Sequence, residues 1–216
     1  MSRAVFDRLM AETRTFHQRH PDTASFCPFP DDLEAIEVEA HPINAARLFM
    51  AEDGLTGCNC PQLRDACLAA APFAKWRETY RHTGIGGEFL ERFACYALIG
   101  PGGAFSSSKM GAYFVYMPKG LHYPWHHHPA EELYTVLAGS AEFHLKDNPT
   151  RQLSTGETSF HASNQPHAMT TVDTPVLACV LLRGDLETLP VWSHATDAEM
   201  KAKSGLSTIE TAVKIQ

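Results

Sequence analysis

A group of side chains that commonly bind metals stands near the middle of this 216-residue chain. His126 and His128 are separated by one residue, and Glu132 and Tyr134 complete the spacing H-x-H-x3-E-x-Y. Residues two apart on a β-strand project from the same face, so both histidines are predicted to face one ion, with glutamate and tyrosine reaching it from the next strand. His167 is predicted to supply a fourth ligand. This N/O donor set suits one divalent transition metal: Zn, Fe, Mn, Co or Ni.

The first part of the chain, which must support that group, has helical character. Val5, Leu9 and Phe16 recur at roughly helical spacing after Ser2, a residue type that favours helix starts. Two further helices are predicted, over residues 45–52 and from Pro61 to about Trp76, where a proline suits the first turn. The proline-containing stretch 21–30 is predicted to be loop or extended chain.

From about residue 88 the chain changes to short apolar or alternating runs separated by Gly, Pro, Asn and Asp. Several short strands at such spacing indicate a β-sandwich or small barrel. We therefore predict a helical N-terminal region over 1–88, a β-barrel over 89–195 and a polar tail over 196–216. The predicted strands are 93–99, 112–117, 132–137, 141–145, 157–161, 168–172 and 176–182.

Two spaced motifs in the second part carry a resemblance to a known superfamily. The pattern G-x5-H-x-H-x3-E-x6-G is met in full between Gly120 and Gly139, and it resembles the first cupin motif. The second motif, G-x5-P-x-G-x2-H-x3-N, is met at Gly156 and His167 only, because Ala162, Asn164 and Thr171 replace its Pro, Gly and Asn. The resemblance implies a mainly β fold: a single cupin barrel (a double-stranded β-helix or jelly roll) with an α-helical N-terminal extension.

The tyrosines narrow the resemblance further. Tyr123 stands three residues before His126, and Tyr134 two after Glu132. This arrangement behind a helical N-terminal region is similar to the bacterial cupin-type dimethylsulfoniopropionate lyases, which split a sulfonium zwitterion into dimethyl sulfide and acrylate. The resemblance implies His126, His128, Glu132 and His167 as ligands, with Tyr134 or Tyr123 as the base.

That reaction is a β-elimination, and its chemistry agrees with these residue types. A metal ion on the substrate carboxylate would act as a Lewis acid for the charge that develops when the neighbouring C–H loses its proton. A free tyrosine has a pKa of about 10, but a nearby cation favours the phenolate. Aromatic faces suit the sulfonium end. The candidates for that contact are Tyr123, which we prefer, and Trp125, Trp192 and Phe160.

Two alternatives to the lyase use the same ligands: an Fe(II) dioxygenase acting on a thiol or catechol, and a metal-binding sensor without turnover. The lyase is favoured because the paired tyrosines offer a base that oxygen activation does not require. The remaining histidines His122, His144, His161 and His194 are predicted to be structural. Neither the metal nor the choice between the two tyrosines follows from the sequence.

The composition of the chain indicates which kinds of partner it can have. The chain has 18 Lys+Arg against 25 Asp+Glu, a formal charge of −7, so no nucleic-acid partner is expected. No apolar run approaches the roughly 20 residues that span a bilayer, and the polar N-terminus does not resemble a signal peptide, so a cytoplasmic location is expected. We expect a homodimer, because cupins commonly pair and segment 89–99 is apolar. The helical region is predicted to be a lid, a dimer contact or both.

Overall fold

The computed structural model describes residues 2–81 and 86–193, so the predicted tail over 196–216 and His194 lie outside the described residues. Within the described part, all five α-helices lie before Ala94 in the sequence, and a single 3₁₀ turn (Ala71–Phe73) follows the fourth. None of these helices has both the length and the apolar character that crossing a membrane requires. The helices are α1 (Ser2–Arg19), α2 (Pro21–Phe26), α3 (Asn44–Met50), α4 (Pro61–Ala70) and α5 (Gly87–Arg92).

The prolines explain where the helices differ from prediction. Helix α1 is confirmed, but stretch 21–30 is not all loop, since Pro21 occupies the first turn of α2. Proline is tolerated there because its missing N–H has no intrahelical partner in any case. Helix α4 ends at Ala70, earlier than the predicted Trp76. Pro72 lacks the N–H that a continuing helix needs and sits instead in the 3₁₀ turn.

Eleven strands of the described residues form the sheet system. Its order is β1-β3-β2-β4-β10-β6-β9-β5-β11, with β7 and β8 both paired to β6. Most neighbours are antiparallel, including β4, β10 and β6 at the centre. The strands are β1 (Glu34–Ala35), β2 (Ala94–Ile99), β3 (Phe105–Ser106), β4 (Gly111–Met117), β5 (His122–His127), β6 (Glu131–Leu145), β7 (Arg151–Ser154), β8 (Thr158–His161), β9 (His167–Thr170), β10 (Val176–Arg183) and β11 (Val191–Trp192).

Strand β6 replaces two predicted strands and the turn between them. It runs unbroken for 15 residues and pairs with β10 and β8 through its first half and with β7 and β9 through its second. The bend falls at Gly139, whose φ is +74°, beside a register shift between Leu177 and Ala178 on β10. A bulge of this kind increases local twist and lets one strand serve two sheets. The predicted cupin barrel with N-terminal helices is thereby confirmed.

The central strands are buried on both faces. One face of β2, β4 and β6, including Tyr96, Phe114 and Leu137, packs with Leu9 and Leu63 of the helices in one hydrophobic cluster. The alternate residues of β4, β6 and β10 fill the barrel interior. This period-2 division places Glu132 and Tyr134 on the interior face and Leu133 on the helical face.

Segment 89–99, whose apolar character suggested a partner subunit, is largely covered by the chain itself. Phe89 is buried against Tyr80, and Leu98 and Ile99 are buried in the cluster shared with the helices. The segment therefore gives no support to a dimer, and the homodimer stays a prediction.

Replacing Gly139 with alanine is expected to destabilise the protein strongly. A Cβ there would lie 1.8 Å from the Pro175 carbonyl oxygen, in addition to the left-handed backbone. We expect the free energy of unfolding to fall by roughly 2–5 kcal/mol. Gly120→Ala is the matched control, because Gly120 has a similar φ of +69° but no atom within 4 Å of the added Cβ, and it should cost only about 1–2 kcal/mol. Equal losses in urea denaturation would contradict the steric explanation.

Candidate active site

A cavity opens between the barrel strands and a segment of the N-terminal region. It encloses about 720 Å³, counting its open mouth, and the barrel contributes both polar and apolar walls. The polar residues that line it are Arg77, Thr79, Tyr80, Cys95, Tyr113, Tyr123, His126, His128, Glu132, Tyr134, Glu187 and Thr188. The cavity thus contains most of the residues singled out in the sequence.

Three of the four predicted ligands converge. His128 follows β5, Glu132 lies on β6 and His167 begins β9, and one ligand atom from each lies within 4.8 Å of the others. Glu132 Oε2 is 3.5 Å from His128 Nε2 and 3.2 Å from His167 Nε2. All three side chains are buried. They form a potential metal site.

Backbone hydrogen bonds fix which nitrogen of each imidazole faces the site. Nδ1 of His128 lies 3.0 Å from the Ala130 carbonyl oxygen, and Nδ1 of His167 lies 2.8 Å from that of Gln165. A carbonyl oxygen only accepts, so each Nδ1 carries the proton and donates it. In the neutral imidazoles, Nε2 is left with a lone pair directed towards Glu132.

This arrangement fits a bound cation. His167 Nε2 is buried and has no hydrogen-bond partner among the described residues, although a carboxylate oxygen is 3.2 Å away. Two lone pairs facing each other in a buried site repel unless a proton or a metal ion lies between them. Imidazole and carboxylate are also the ligand types that divalent transition metals bind. The residues present therefore fit the metal that the sequence predicted.

The charges of the site support the same conclusion. Burial alone would raise the pKa of Glu132, but the surrounding imidazoles of His128, His161 and His167 hold that pKa well below its usual range. Burial would lower the pKa of His128, yet Glu132 outweighs it and raises that pKa. The carboxylate is consequently ionised, as a metal ligand must be.

His161, which the sequence predicted to be structural, contacts a predicted metal ligand directly. Its Nδ1 donates to Glu132 Oε2 at 2.9 Å, and its Nε2 accepts from the Ser159 hydroxyl at 3.0 Å. Burial and the neighbouring His167 lower the pKa of His161 to about 4, so the ring is neutral. Such a partner orients a ligating carboxylate. The sequence feature that could have indicated this role is the spacing of Ser159 and His161, which are two residues apart and therefore share one face of β8.

His126 stands beside the three converging ligands. Its ring centroid is 4.2 Å from that of His167, and its Nδ1 donates to the Pro124 carbonyl oxygen at 2.8 Å. Burial and the nearby His167 lower its pKa well below the usual value, so the ring is the neutral form that metals bind. Its position as a ligand stays a prediction, because only the other three ligands bring their donor atoms within 4.8 Å of one another.

The two candidate bases differ in what their hydroxyls contact. The Tyr123 ring stacks on His126 at 4.0 Å between centroids, and its hydroxyl is hydrogen-bonded to that of Tyr80. Tyr134 also lines the cavity, but its hydroxyl has no hydrogen-bond partner within residues 2–81 and 86–193. Burial raises the pKa of both tyrosines well above its usual value, and for Tyr134 the charge of Glu132 adds to that effect. A cation at the site acts in the opposite direction.

The predicted sulfonium contacts divide into two groups. Trp192 lies near the site, with its ring centroid 4.2 Å from that of Tyr80 and 6.3 Å from that of His126. The structure does not bring Trp125 or Phe160 into the cavity. Trp125 packs with Ala168 instead, and Phe160 is 45% exposed against Phe26.

Sheet register explains both exceptions. A register shift between Tyr123 and His126 in the β5–β9 pairing puts those two residues on the cavity side and turns Trp125 away. On β8, Phe160 is opposite Leu133, which faces the helices, whereas Ser159 and His161 are opposite Tyr134 and Glu132. Which face of the sheet a strand residue occupies cannot be assigned before the strand pairing is known.

Three cavity residues, Arg77, Thr79 and Tyr80, come from the N-terminal region and were not predicted as site residues. Arg77 and Tyr80 follow the 3₁₀ turn and line the same cavity as Glu132 and Tyr134. Arg77 N–H donates to the Cys95 carbonyl oxygen at 2.8 Å, which attaches this segment to β2. None of the three stands in a recognisable motif, so no sequence signal marked them.

Comparison with known proteins assigns the chain to a family. Residues 42–178 match the family model described as dimethylsulfoniopropionate lyase. The chain is 47% identical over 190 residues to dimethylsulfoniopropionate lyase DddQ of Ruegeria pomeroyi, covering 88% of this chain and 94% of that protein.

Solved structures agree with that match. The crystal structure of DMSP lyase DddQ from Ruegeria pomeroyi superposes with a TM-score of 0.86 at 47% identity, covering 88% of this chain and 96% of that one. A structure reported with the DMSP lyases RdDddP and RnDddQII superposes at 0.84 with 37% identity, covering 89% and 100%. Sequence and tertiary structure lead to the same result: the chain belongs to the dimethylsulfoniopropionate lyase family.

Proposed function

We propose that this protein is a metal-dependent carbon–sulfur lyase that cleaves dimethylsulfoniopropionate to dimethyl sulfide and acrylate. The observation that carries the proposal is that His128, Glu132 and His167 converge, and that Tyr134 lines the same cavity as His128 and Glu132, in a chain from this family. Membership of the family favours this activity over the dioxygenase and the sensor, for which no comparable support exists.

The proposed metal ligands are His126, His128, Glu132 and His167, holding one divalent transition ion. A bound ion would supply a Lewis acid for the substrate carboxylate and favour a phenolate nearby. The chain's own contribution is orientation: backbone carbonyls hold His126, His128 and His167 through Nδ1, and His161 holds Glu132. Which of Zn, Fe, Mn, Co or Ni is native does not follow from this donor set.

Tyr134 is the proposed base. Its hydroxyl oxygen, as phenolate, takes the proton from the carbon next to the carboxylate. The C–H electron pair becomes the new C=C bond, the bond from the β carbon to sulfur breaks, and dimethyl sulfide leaves as a neutral molecule with that electron pair. No proton donor is needed for the leaving group. Tyr123 is the less favoured base, because its hydroxyl already contacts that of Tyr80.

The sulfonium end is proposed to lie against aromatic rings. Tyr80 and Tyr123 line the cavity, and the Trp192 ring packs against that of Tyr80. Rings with an electron-rich face attract onium groups, and the attraction grows where water is excluded. These rings, rather than Trp125 or Phe160, are the better candidates for that contact.

Residues 1–88 are proposed to act as a helical region that closes the barrel 89–195 on one side. The support is that Arg77 and Tyr80, both in that region, line the cavity. The polar tail 196–216, the homodimer and a cytoplasmic location remain predictions from the sequence.

The test is headspace gas chromatography of the purified protein incubated with dimethylsulfoniopropionate. We expect release of dimethyl sulfide with an equal amount of acrylate, loss of activity on treatment with a chelator, and recovery when a divalent transition metal is added back. Absence of dimethyl sulfide with each of the five candidate metals would contradict the proposal. Chelator-resistant activity would retain the reaction but reject the metal.

A further inference from the structure

Arg77 places a positive charge in the wall of the cavity. It lies on the segment after the 3₁₀ turn, is partly buried, and lines the same cavity as His128, Glu132 and Tyr134. Its guanidinium carbon is 4.9 Å from the centre of the Tyr113 ring, whose face it covers. Of the residues that line this cavity, it is the one with a permanently charged cationic side chain.

No carboxylate of the described residues neutralises this charge. Two carboxylates line the cavity, Glu132 and Glu187, and neither forms an ion pair with Arg77. Glu132 is already occupied by His128, His161 and His167. By contrast, Arg64 and Arg92, which are also partly buried, each form an ion pair with an acidic residue of their own helix. An enclosed cation without a counter-charge is costly, so its position calls for an anionic ligand.

The chemistry of a guanidinium indicates which class of anion Arg77 would bind. Its planar fork of N–H donors matches the two oxygens of a carboxylate, and the pair is stronger where water is excluded. Within the proposed function, the substrate is a zwitterion with one carboxylate and one sulfonium. A cation on one wall attracts the first group and repels the second, so it also selects one orientation of the molecule.

We propose that Arg77 binds the carboxylate of the substrate and thereby sets the orientation of the zwitterion in the cavity. This inference rests on the proposed function and deepens it. In this orientation the sulfonium end of the substrate, opposite its carboxylate, contacts the rings of Tyr80 and Tyr123. The inference also predicts that acrylate, which keeps the carboxylate after the elimination, competes with the substrate through Arg77.

The test compares Arg77→Gln with wild type in the full-length, metal-loaded protein. We expect KM for dimethylsulfoniopropionate and the inhibition constant of acrylate each to rise about 10- to 100-fold, as for loss of a charged hydrogen bond. Inhibition by trimethylsulfonium, which has no carboxylate, should be unchanged or slightly stronger. Metal content should stay at the wild-type value. Lys75→Gln is the matched control, because Lys75 is exposed, two residues away and not part of the cavity wall; it should leave all constants unchanged.

Three results would overturn the proposal. The first is that KM and the inhibition constant of acrylate are unchanged in Arg77→Gln, and the second is that acrylate and trimethylsulfonium inhibit this variant equally less well. The third is that Lys75→Gln shows the same increases in KM and in the inhibition constant of acrylate. If Arg77→Gln does not fold, the same measurements are made on Arg77→Lys. The inhibition constant of acrylate should then rise about threefold or more, because lysine lacks the paired N–H donors of a guanidinium. If wild type releases no dimethyl sulfide, the proposed function has failed. Calorimetric titration of acrylate into wild type and variant then tests Arg77 separately, and equal affinities would reject it.

Discussion

Tyr134→Phe is expected to abolish turnover while leaving the folded, metal-loaded protein intact. The substitution removes one hydroxyl, and that hydroxyl has no hydrogen-bond partner among the described residues. Packing against Phe143 and His161 should therefore be retained. Removing a general base typically costs about 10²- to 10⁴-fold in rate. The measurement is kcat for dimethyl sulfide release, with metal content and thermal unfolding determined on the same samples.

Tyr123→Phe is the control for this prediction. It removes a hydroxyl from the same cavity, but one that is hydrogen-bonded to Tyr80 and belongs to a ring stacked on His126. We expect a smaller fall in kcat than for Tyr134→Phe. Full activity of Tyr134→Phe would reject its role, and loss of turnover in Tyr123→Phe alone would transfer the base to Tyr123.

His128→Ala is expected to lose both the metal and the activity. The variant removes one of the three converging ligands, whose Nε2 lies 3.5 Å from Glu132 Oε2. Losing an outer partner of a metal ligand already costs about 10- to 100-fold in affinity, and a direct ligand should cost at least as much. The bound metal is measured by elemental analysis after dialysis, and activity by dimethyl sulfide release.

His127→Ala is the matched control, since it removes the neighbouring imidazole without touching the site. The His127 ring is hydrogen-bonded to the Ser193 hydroxyl at 3.0 Å and does not line the cavity. It should retain metal and turnover. Wild-type metal stoichiometry in His128→Ala would refute the ligand assignment. A fall in both variants alike would point to damage of β5 instead.

The sequence by itself determined the fold class and which residues are candidates for the chemistry. The spacing of His126, His128, Glu132 and Tyr134 and their flanking glycines predicted a metal site on a cupin barrel. The apolar periods predicted α1 and most of the central strands. These features are readable because helical and strand periods, and the glycine positions of turns, depend on neighbours only a few residues away.

Only the tertiary structure decided which side chains face the cavity. The shift in the β5–β9 register turned Trp125 away from Tyr123, and pairing with Leu133 sent Phe160 to the helical face. Gly139 lies within one strand and not in a turn between two strands, because β6 remains paired with β10 as far as Gly139. Strand register and bulges are set by partners far away in sequence, so local patterns do not encode them.

The same reason explains the residues that were missed. His161 meets Glu132 because β8 pairs with β6, and Arg77 enters the cavity because its backbone pairs with Cys95. Each has an ordinary sequence environment and acquires a role only from a contact made on folding. The local sequence predicted the metal ligands, whereas long-range packing decided which side chains contact them, what charge faces them and which rings line the cavity.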